Sequence, residues 1–396
     1  MTDLPQGWRE QSFAQSFLTP PIGNKKLKVK ECLTEGAFPV IDQGEVFITG
    51  YTNEEDLVTR VDDFVIVFGD HTRCLKYVTF DFVCGADGVK VLKPMPELDG
   101  QFAFYMLLST ELRSKGYARH LSLLKSRTFL IPTLIEQERI VEILEEQFSR
   151  LDSALASVKA VREKSKAFRR SLLHSAFSGE LTGGTEGWRE VELGEVCEYV
   201  RGVTYGKTDA TDKPTKGFLP LLRATNIDDG RLVLTEFVYV PESKVKPVQM
   251  LQSGDLVMAA SSGSIQVVGK SAPVPLGFIG TFGAFCAVLR PNHDTNQQFL
   301  NFFITSPKVR ETWSAAARGT NINNLKREPV LSTQIPLPAL VEQERIVEIL
   351  EEQFSRLDKA LEVANQLEAR IASERRSLLH AAFTGELTSQ WRKTHV

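Results

Sequence analysis

The stretch Glu136-Gln-Glu-Arg-Ile-Val-Glu-Ile-Leu-Glu-Glu-Gln-Phe-Ser-Arg-Leu-Asp152 returns letter for letter as Glu342 to Asp358, an offset of 206 residues. The same offset carries Ser171–His174 onto Ser377–His380 and Gly179–Thr182 onto Gly385–Thr388. A period this long excludes a solenoid, whose repeats run to a few tens of residues. The chain is instead a duplication of one plan, a variable segment followed by a common element.

The common element reads as a long amphipathic helix. Ile140, Leu144, Phe148, Leu151, Leu155 and Val158 recur at spacings of three and four, as do Ile346, Leu350, Phe354, Leu357 and Leu361, followed by Leu367 and Ile371. Thr133 and Glu136 have capping-box spacing, which the second copy loses with Ala339. No proline interrupts 134–177 or 340–383, and Gly179 and Gly385 supply the stops. Each helix should cover about 40 residues, roughly 60 Å. Two such stripes in one chain are most simply buried against each other as an antiparallel coiled coil.

The variable segments share an order of signals. Each opens on Trp-Arg-Glu (Trp8, Trp188) and continues through short β-branched and aromatic runs. Asp63–Gly69 matches Asp255–Ser261 as an acidic start to a buried strand, running into the small polar loops Asp70–Arg73 and Ser261–Ser264. Helical stretches follow near Phe102–Ser114 and Gln297–Ala317, then the polar turns Gly116–Lys125 and Gly319–Lys326. The expected fold class is α+β, with two pseudo-symmetric globular domains separated by two long antiparallel helices. The expected boundaries are domain 1 over 1–132, helix 1 over 133–180, domain 2 over 181–337, helix 2 over 338–388 and a tail over 389–396. The tail's Trp391-Arg392 echoes Trp188-Arg189, as though a third unit began there, so the two ends of the chain should meet.

With 396 residues, 42% hydrophobic and 24% charged, the composition is that of a globular protein with room for two or three domains. No run is apolar enough to span a bilayer, and the N-terminus is no signal peptide. Cys32, Cys74, Cys84, Cys197 and Cys286 form no CxxC pair, so reduced cysteines in a cytoplasmic protein are expected. Sites for chemistry are absent. Gly202–Thr208 approaches a phosphate-binding loop, but Arg201 stands where its first glycine belongs. No histidines sit at metal-ligand spacing, no Asn/Asp-Pro-Pro-Tyr/Phe adenine-methylation motif occurs, and no metal is expected. The chain reads as a non-enzyme.

These residues resemble the DNA specificity subunit of type I restriction-modification systems. The resemblance lies in the helix entries 131–140 and 337–346 and the helix endings 171–182 and 377–388. It extends to Phe38–Gly44, Gly69–Arg73, Gly254–Ala259 and Gly319–Ile322. It implies two target-recognition domains, each reading one half of a split, asymmetric site in double-stranded DNA. It implies that the helices set the spacing and dock two methyltransferase subunits, with two restriction/translocase subunits completing the complex. S-adenosylmethionine, ATP and Mg2+ would belong to those partners, and no cofactor to this chain. The alternative is a coiled-coil scaffold joining two protein-binding domains.

Arg and Lys favour guanine and Asn and Gln adenine in direct readout. The candidate DNA contacts are Thr72, Arg73, Lys76, Arg119, His120 and Lys125 in the first domain. In the second they are Tyr205, Lys207, Ser262, Ser264, Arg318, Asn321, Asn323 and Lys326. The candidate docking residues are Glu136, Gln137, Arg139, Arg170 and His174, with Glu342, Gln343, Arg345, Arg376 and His380 in the second copy. Both domains are near neutral, with 14 basic and 15 acidic residues over 13–130 and 15 and 14 over 190–335. DNA binding by the chain alone should therefore be weak and salt-sensitive.

Overall fold

A computed structural model describes residues 4–22, 25–85, 88–113, 118–228, 230–319 and 322–395. Both repeated elements are helices of 44 residues, α1 (Leu134–Phe177) and α2 (Leu340–Phe383). At 1.5 Å per residue each is about 66 Å long. The chain divides into two compact units, and both divisions fall inside these helices. Unit 1 is Met1–Lys159 with Asn365–Val396, and unit 2 is Ala160–Ala364.

In unit 1 the two helical segments run antiparallel. Arg375 donates to the Asp152 carboxylate and lies over the Phe148 ring at 5.0 Å. At the far end, Thr388 Oγ1 donates to Glu136 at 2.6 Å. Unit 2 repeats these contacts with the copies exchanged. Arg169 pairs with Asp358 and covers Phe354 at 4.3 Å, and Thr182 Oγ1 donates to Glu342 at 2.8 Å. Ile140, Leu144 and Phe148 are buried in one cluster with Leu379, Ala382 and the domain residues Phe102 and Ile131. Ile346, Leu350 and Phe354 share another with Leu173, Ala176, Phe299 and Ile335. The stripe thus packs on its globular domain as well as on the opposing helix. Each fully buried Ile or Leu contributes about 1.5–3 kcal/mol. Leu367 departs from the expected stripe and is 41% exposed, whereas Ala364 and Ile371 are buried.

The domains are small sheets closed by the ends of their own segments. Strand Arg9–Ser12 pairs antiparallel with Thr128–Ile131, and Arg189–Glu192 pairs with Gln334–Leu337. In unit 1 a four-stranded sheet has the order 17–18, 89–94, 65–69, 75–78, beside a mixed sheet built on 82–85. Unit 2 has 197–201, 286–291, 256–259, 271–273, beside a three-stranded sheet centred on 218–222. Val65–Gly69 and Leu256–Ala259 are buried on both faces, as their unbroken apolar runs require. Their acidic starts differ. Asp255 is buried and held by Arg290 Nε and Nη2 at 2.7 and 2.9 Å, whereas Asp63 is exposed. A helix at Gly100–Ser109 answers two in unit 2, Gln297–Ile304 and Pro307–Ala317. The break falls where Pro307 cannot continue the preceding turn.

One glutamine in each copy joins domain to helix. Gln137 Oε1 accepts from the Asp99 N–H at 2.8 Å, while its Nε2 donates to Glu97 O and Pro132 O, both at 3.1 Å. Gln343 does the same with the Asn296 N–H at 2.8 Å, Asp294 O at 3.0 Å and Pro338 O at 2.9 Å. Asp99 and Asn296 in turn cap the helices that follow them.

The two ends of the chain meet within unit 1, as the Trp-Arg echo implied. Arg392 is buried, lies 5.4 Å from the Trp8 ring centroid and donates twice to Glu136 Oε1, at 3.0 and 2.7 Å. Glu136 is therefore not the return half of a capping box, because its carboxylate is taken by a guanidinium and a hydroxyl. The tail forms a helix, Ser389–His395, and does not begin a strand. The corresponding stretch in unit 2 turns through Gly183, Gly184 and Gly187, all at positive φ, and the tail has no such residues.

Removing one partner of a buried ion pair strands the other. Arg392→Ala should lower the unfolding free energy by about 3 kcal/mol. Arg150→Ala, at an exposed pair, should change it by less than about 1 kcal/mol. Urea denaturation of both variants checks the difference.

Candidate DNA interface

In each unit the loop leaving the central strand is joined to the turn that follows the domain helices. Sequence separates these segments by some fifty to sixty residues. In unit 1 the joint is Asp70, which is 2% exposed. Its Oδ1 accepts from the N–H groups of His120 and Leu121 at 2.9 and 2.7 Å, and its carbonyl from the His120 N–H at 2.8 Å. In unit 2 the joint is a two-residue ladder pairing Ser261 with Asn324 and Ser262 with Asn323. Ser261 Oγ donates to Asn324 Oδ1 at 2.6 Å. Asn323 Nδ2 donates to Ser262 O and Gly263 O at 3.3 and 3.1 Å. The Leu325 N–H reaches Ala260 O at 2.8 Å, as the His120 N–H reaches Asp70 O.

This joint gathers several of the expected contacts. Thr72, Arg73, Arg119 and Lys125 are exposed in unit 1, and Ser264, Arg318 and Lys326 in unit 2. Arg73 has φ +67 and donates to Leu112 O at 2.9 Å, and the Thr72 hydroxyl donates to Gln43 O. Ser262 and Asn323 are half-buried and hold the ladder. Tyr205 packs against Val203, Leu221 and Val240. Ser114, Gly116, Asn321 and the Lys207 side chain lie outside the described residues.

Two expected contacts are corrected. His120 is fully buried and takes the place that Leu325 fills in unit 2, with its Nδ1 2.9 Å from Asp70 O. Lys76 is 5% exposed and spans the 42–47 loop, donating to Asp42 O at 3.0 Å and Val46 O at 2.6 Å. Burial pulls its ammonium below the usual lysine range, opposed by Asp42. A lysine between Leu75 and Tyr77 looks in sequence like the outward face of a strand, and only the fold shows that it clasps a loop.

The docking residues divide in the same way. Arg139, Arg170, His174, Arg345, Arg376 and His380 keep accessible side chains, and Arg170 stands 3.6 Å from Glu311. Glu136, Gln137 and Gln343 are buried, and Glu342 is half-buried with Thr182 as a partner, so these four serve internal joints. The duplicated Glu-Gln pair is therefore explained by folding. In unit 2 a groove of about 1210 Å³ runs past Arg170, His174, Trp188, Arg189, Lys308 and Glu311. Gly202–Thr208 leads into a 3₁₀ turn at Lys207–Asp209, without the helix that a phosphate loop requires. Among the described residues no acidic, His or Cys cluster could hold a metal ion, and no helix is long and apolar enough to cross a membrane. Sequence reasoning missed Asp70 and Asn324 as joints, although Asp beside a turn signals such bonding. It also missed Gln43, which borders the unit 1 joint, and Phe285, which borders the unit 2 joint.

Comparison with known proteins finds a family that this chain resembles. Residues 185–372 match the model of the type I restriction modification DNA specificity domain. The chain is 37% identical over 210 residues to the type I restriction enzyme StySPI specificity subunit of Salmonella potsdam, covering 53% of this chain and 45% of that one. It is 39% identical over 207 residues to the EcoKI specificity subunit of Escherichia coli K12, covering 52% and 45%. The chain thus spans about half the length of these curated relatives. A solved chain from a study of complex assembly and conformational transition in the type I R-M system superposes with a TM-score of 0.74 at 18% identity, covering 98% of this chain and all of that one. The HsdS subunit from Thermoanaerobacter tengcongensis gives 0.53 at 19% identity, covering 97% and 98%. These two establish the fold, an α+β arrangement with two globular domains and long helices. The family resemblance read from the sequence is borne out.

Asp70→Ala leaves the N–H of half-buried Leu121 without its partner, and Asn323→Ala frees the carbonyls of half-buried Ser262 and exposed Gly263. Each should lower the unfolding free energy by about 1–3 kcal/mol. An unchanged urea midpoint in either variant would remove that residue as the joint.

Proposed function

Because residues 185–372 match the model of the type I restriction modification DNA specificity domain, we propose that this chain is the sequence-reading, non-catalytic subunit of a type I restriction-modification complex. Each unit reads one half of a split, asymmetric site in double-stranded DNA through its joined loop and turn. The observation that carries this reading is the recurrence of that joint in both units with different residues. The same backbone bond to the post-strand residue recurs, while Asp70 and His120 in one unit answer Ala260 and Leu325 in the other. A common frame with different side chains is what two unlike half-sites need.

Helices α1 and α2 fix the half-site spacing in this reading. Their accessible Arg139, Arg170, His174, Arg345, Arg376 and His380 dock two methyltransferase subunits, which bring S-adenosylmethionine. Two restriction/translocase subunits bring ATP and Mg2+ chemistry. The near-neutral domains support a division of labour in which partners supply most of the phosphate contacts. Binding by the complex should therefore fall more steeply with salt than binding by the chain alone, and a log–log affinity titration reads both slopes.

The deciding experiment is long-read methylation mapping in a methylation-free host, with this chain and its methyltransferase expressed together and separately. Modified adenine at one split motif, only with both present, is expected. An active complex that modifies no defined motif would favour a scaffold joining two protein-binding domains.

A further inference from the structure

The strand register identifies equivalent residues in the two units. Gly69 pairs with Val89, and Ala259 pairs with Cys286, so the residues just before these partners, Gly88 and Phe285, correspond. Their carbonyls do the same work. The Asp70 N–H donates to Gly88 O at 2.7 Å, and the Ala260 and Ser261 N–H groups donate to Phe285 O at 2.9 Å. Asp70 and Ala260 are also the residues whose carbonyls accept from the post-helix turn. The position therefore borders both segments of the candidate interface.

What fills it differs. Gly88 has no side chain, and the space is taken by Gln43, since a Cβ on Gly88 would meet Gln43 Oε1 at 2.1 Å. Gln43 is held from two sides, its Oε1 accepting from the His71 N–H at 3.3 Å and its carbonyl from the Thr72 hydroxyl. In unit 2 the position carries Phe285, whose surface is 64% exposed although its carbonyl is bonded twice. An aromatic ring on a fixed backbone loses little freedom when it is covered, and such rings serve as interface anchors.

We propose that this position reads a base in each half-site, through the Gln43 amide in unit 1 and the Phe285 ring in unit 2. A glutamine amide offers the donor–acceptor pair that matches adenine N7 and N6 in the major groove, and an apolar side chain contacts the thymine methyl. The bases implied are an adenine for Gln43 and a thymine for Phe285. The inference deepens the proposed DNA-reading function and rests on it.

The test is methylation mapping with the full chain and its methyltransferase, comparing wild type with Gln43→Ala and Phe285→Ala. Each variant should relax a single base pair, in opposite half-sites, with roughly tenfold loss of discrimination. Gln43→Met and Phe285→Leu, which roughly keep volume, carry the same decision if an alanine variant does not accumulate. Phe285→Leu should retain the thymine preference, while Gln43→Met should lose the adenine preference. An unchanged wild-type motif in the Gln43 variants and in Phe285→Ala overturns the inference but leaves the DNA-reading function standing. A wild-type complex with no split motif overturns that function, and the inference with it.

Discussion

The first turn of each long helix carries a glutamine whose amide is spent entirely inside the protein. Gln137 and Gln343 each take one backbone N–H and give two hydrogens to backbone carbonyls. Those groups belong to the turn that caps the domain helix and to the residues entering the long helix. The amide therefore fixes the angle at which a domain leaves its helix. A carboxylate could not donate, and an amine could not accept, so the side chain type is dictated by the joint. The buried stripe beginning three residues later, at Ile140 and Ile346, then sets the helix against its own domain.

Much of this architecture was legible because it rests on repetition and periodicity. The 206-residue offset and the proline-free apolar stripes located both helices to within a few residues. The meeting of the chain ends followed from Trp391-Arg392. What escaped notice was polar and buried. Lys76, His120 and Glu136 are residue types that sit at surfaces, and each was read as a surface residue or a cap. Their burial depends on contacts from residues 30 to about 250 positions away, such as Val46 O for Lys76 and Arg392 for Glu136. Local patterns carry no trace of such distant partners. Leu367 shows the converse, an apolar residue left exposed although it fits the stripe.

The candidate interface was legible as two pairs of segments and illegible in its details. A strand running into small polar residues, and a glycine running into a polar turn, are local signals. That they join is a long-range fact, achieved by a buried carboxylate in unit 1 and by a short ladder in unit 2. Asp63 and Asp255 teach the same lesson: they look alike in sequence, but the strand register sets Asp255 at the place of Val65, where it is buried against Arg290, while Asp63 stays exposed.

The exchange of copies in the helical contacts bears on why the two ends of each helix remain nearly identical while the domains have drifted apart. Asp152 of the first copy meets Arg375 of the second, and Asp358 of the second meets Arg169 of the first. Each repeated sequence is thus both key and lock for the other. A change at Asp152 is answered only by a change in the opposite copy, and matched changes must arise in distant parts of one gene. Strands of the sheets find their hydrogen-bonding partners within their own segment, and only their helix-facing residues, such as Ile131 and Ile335, answer to the helices. The paired ends of the long helices are tied to their own past, and the domains are freer to acquire new sequences.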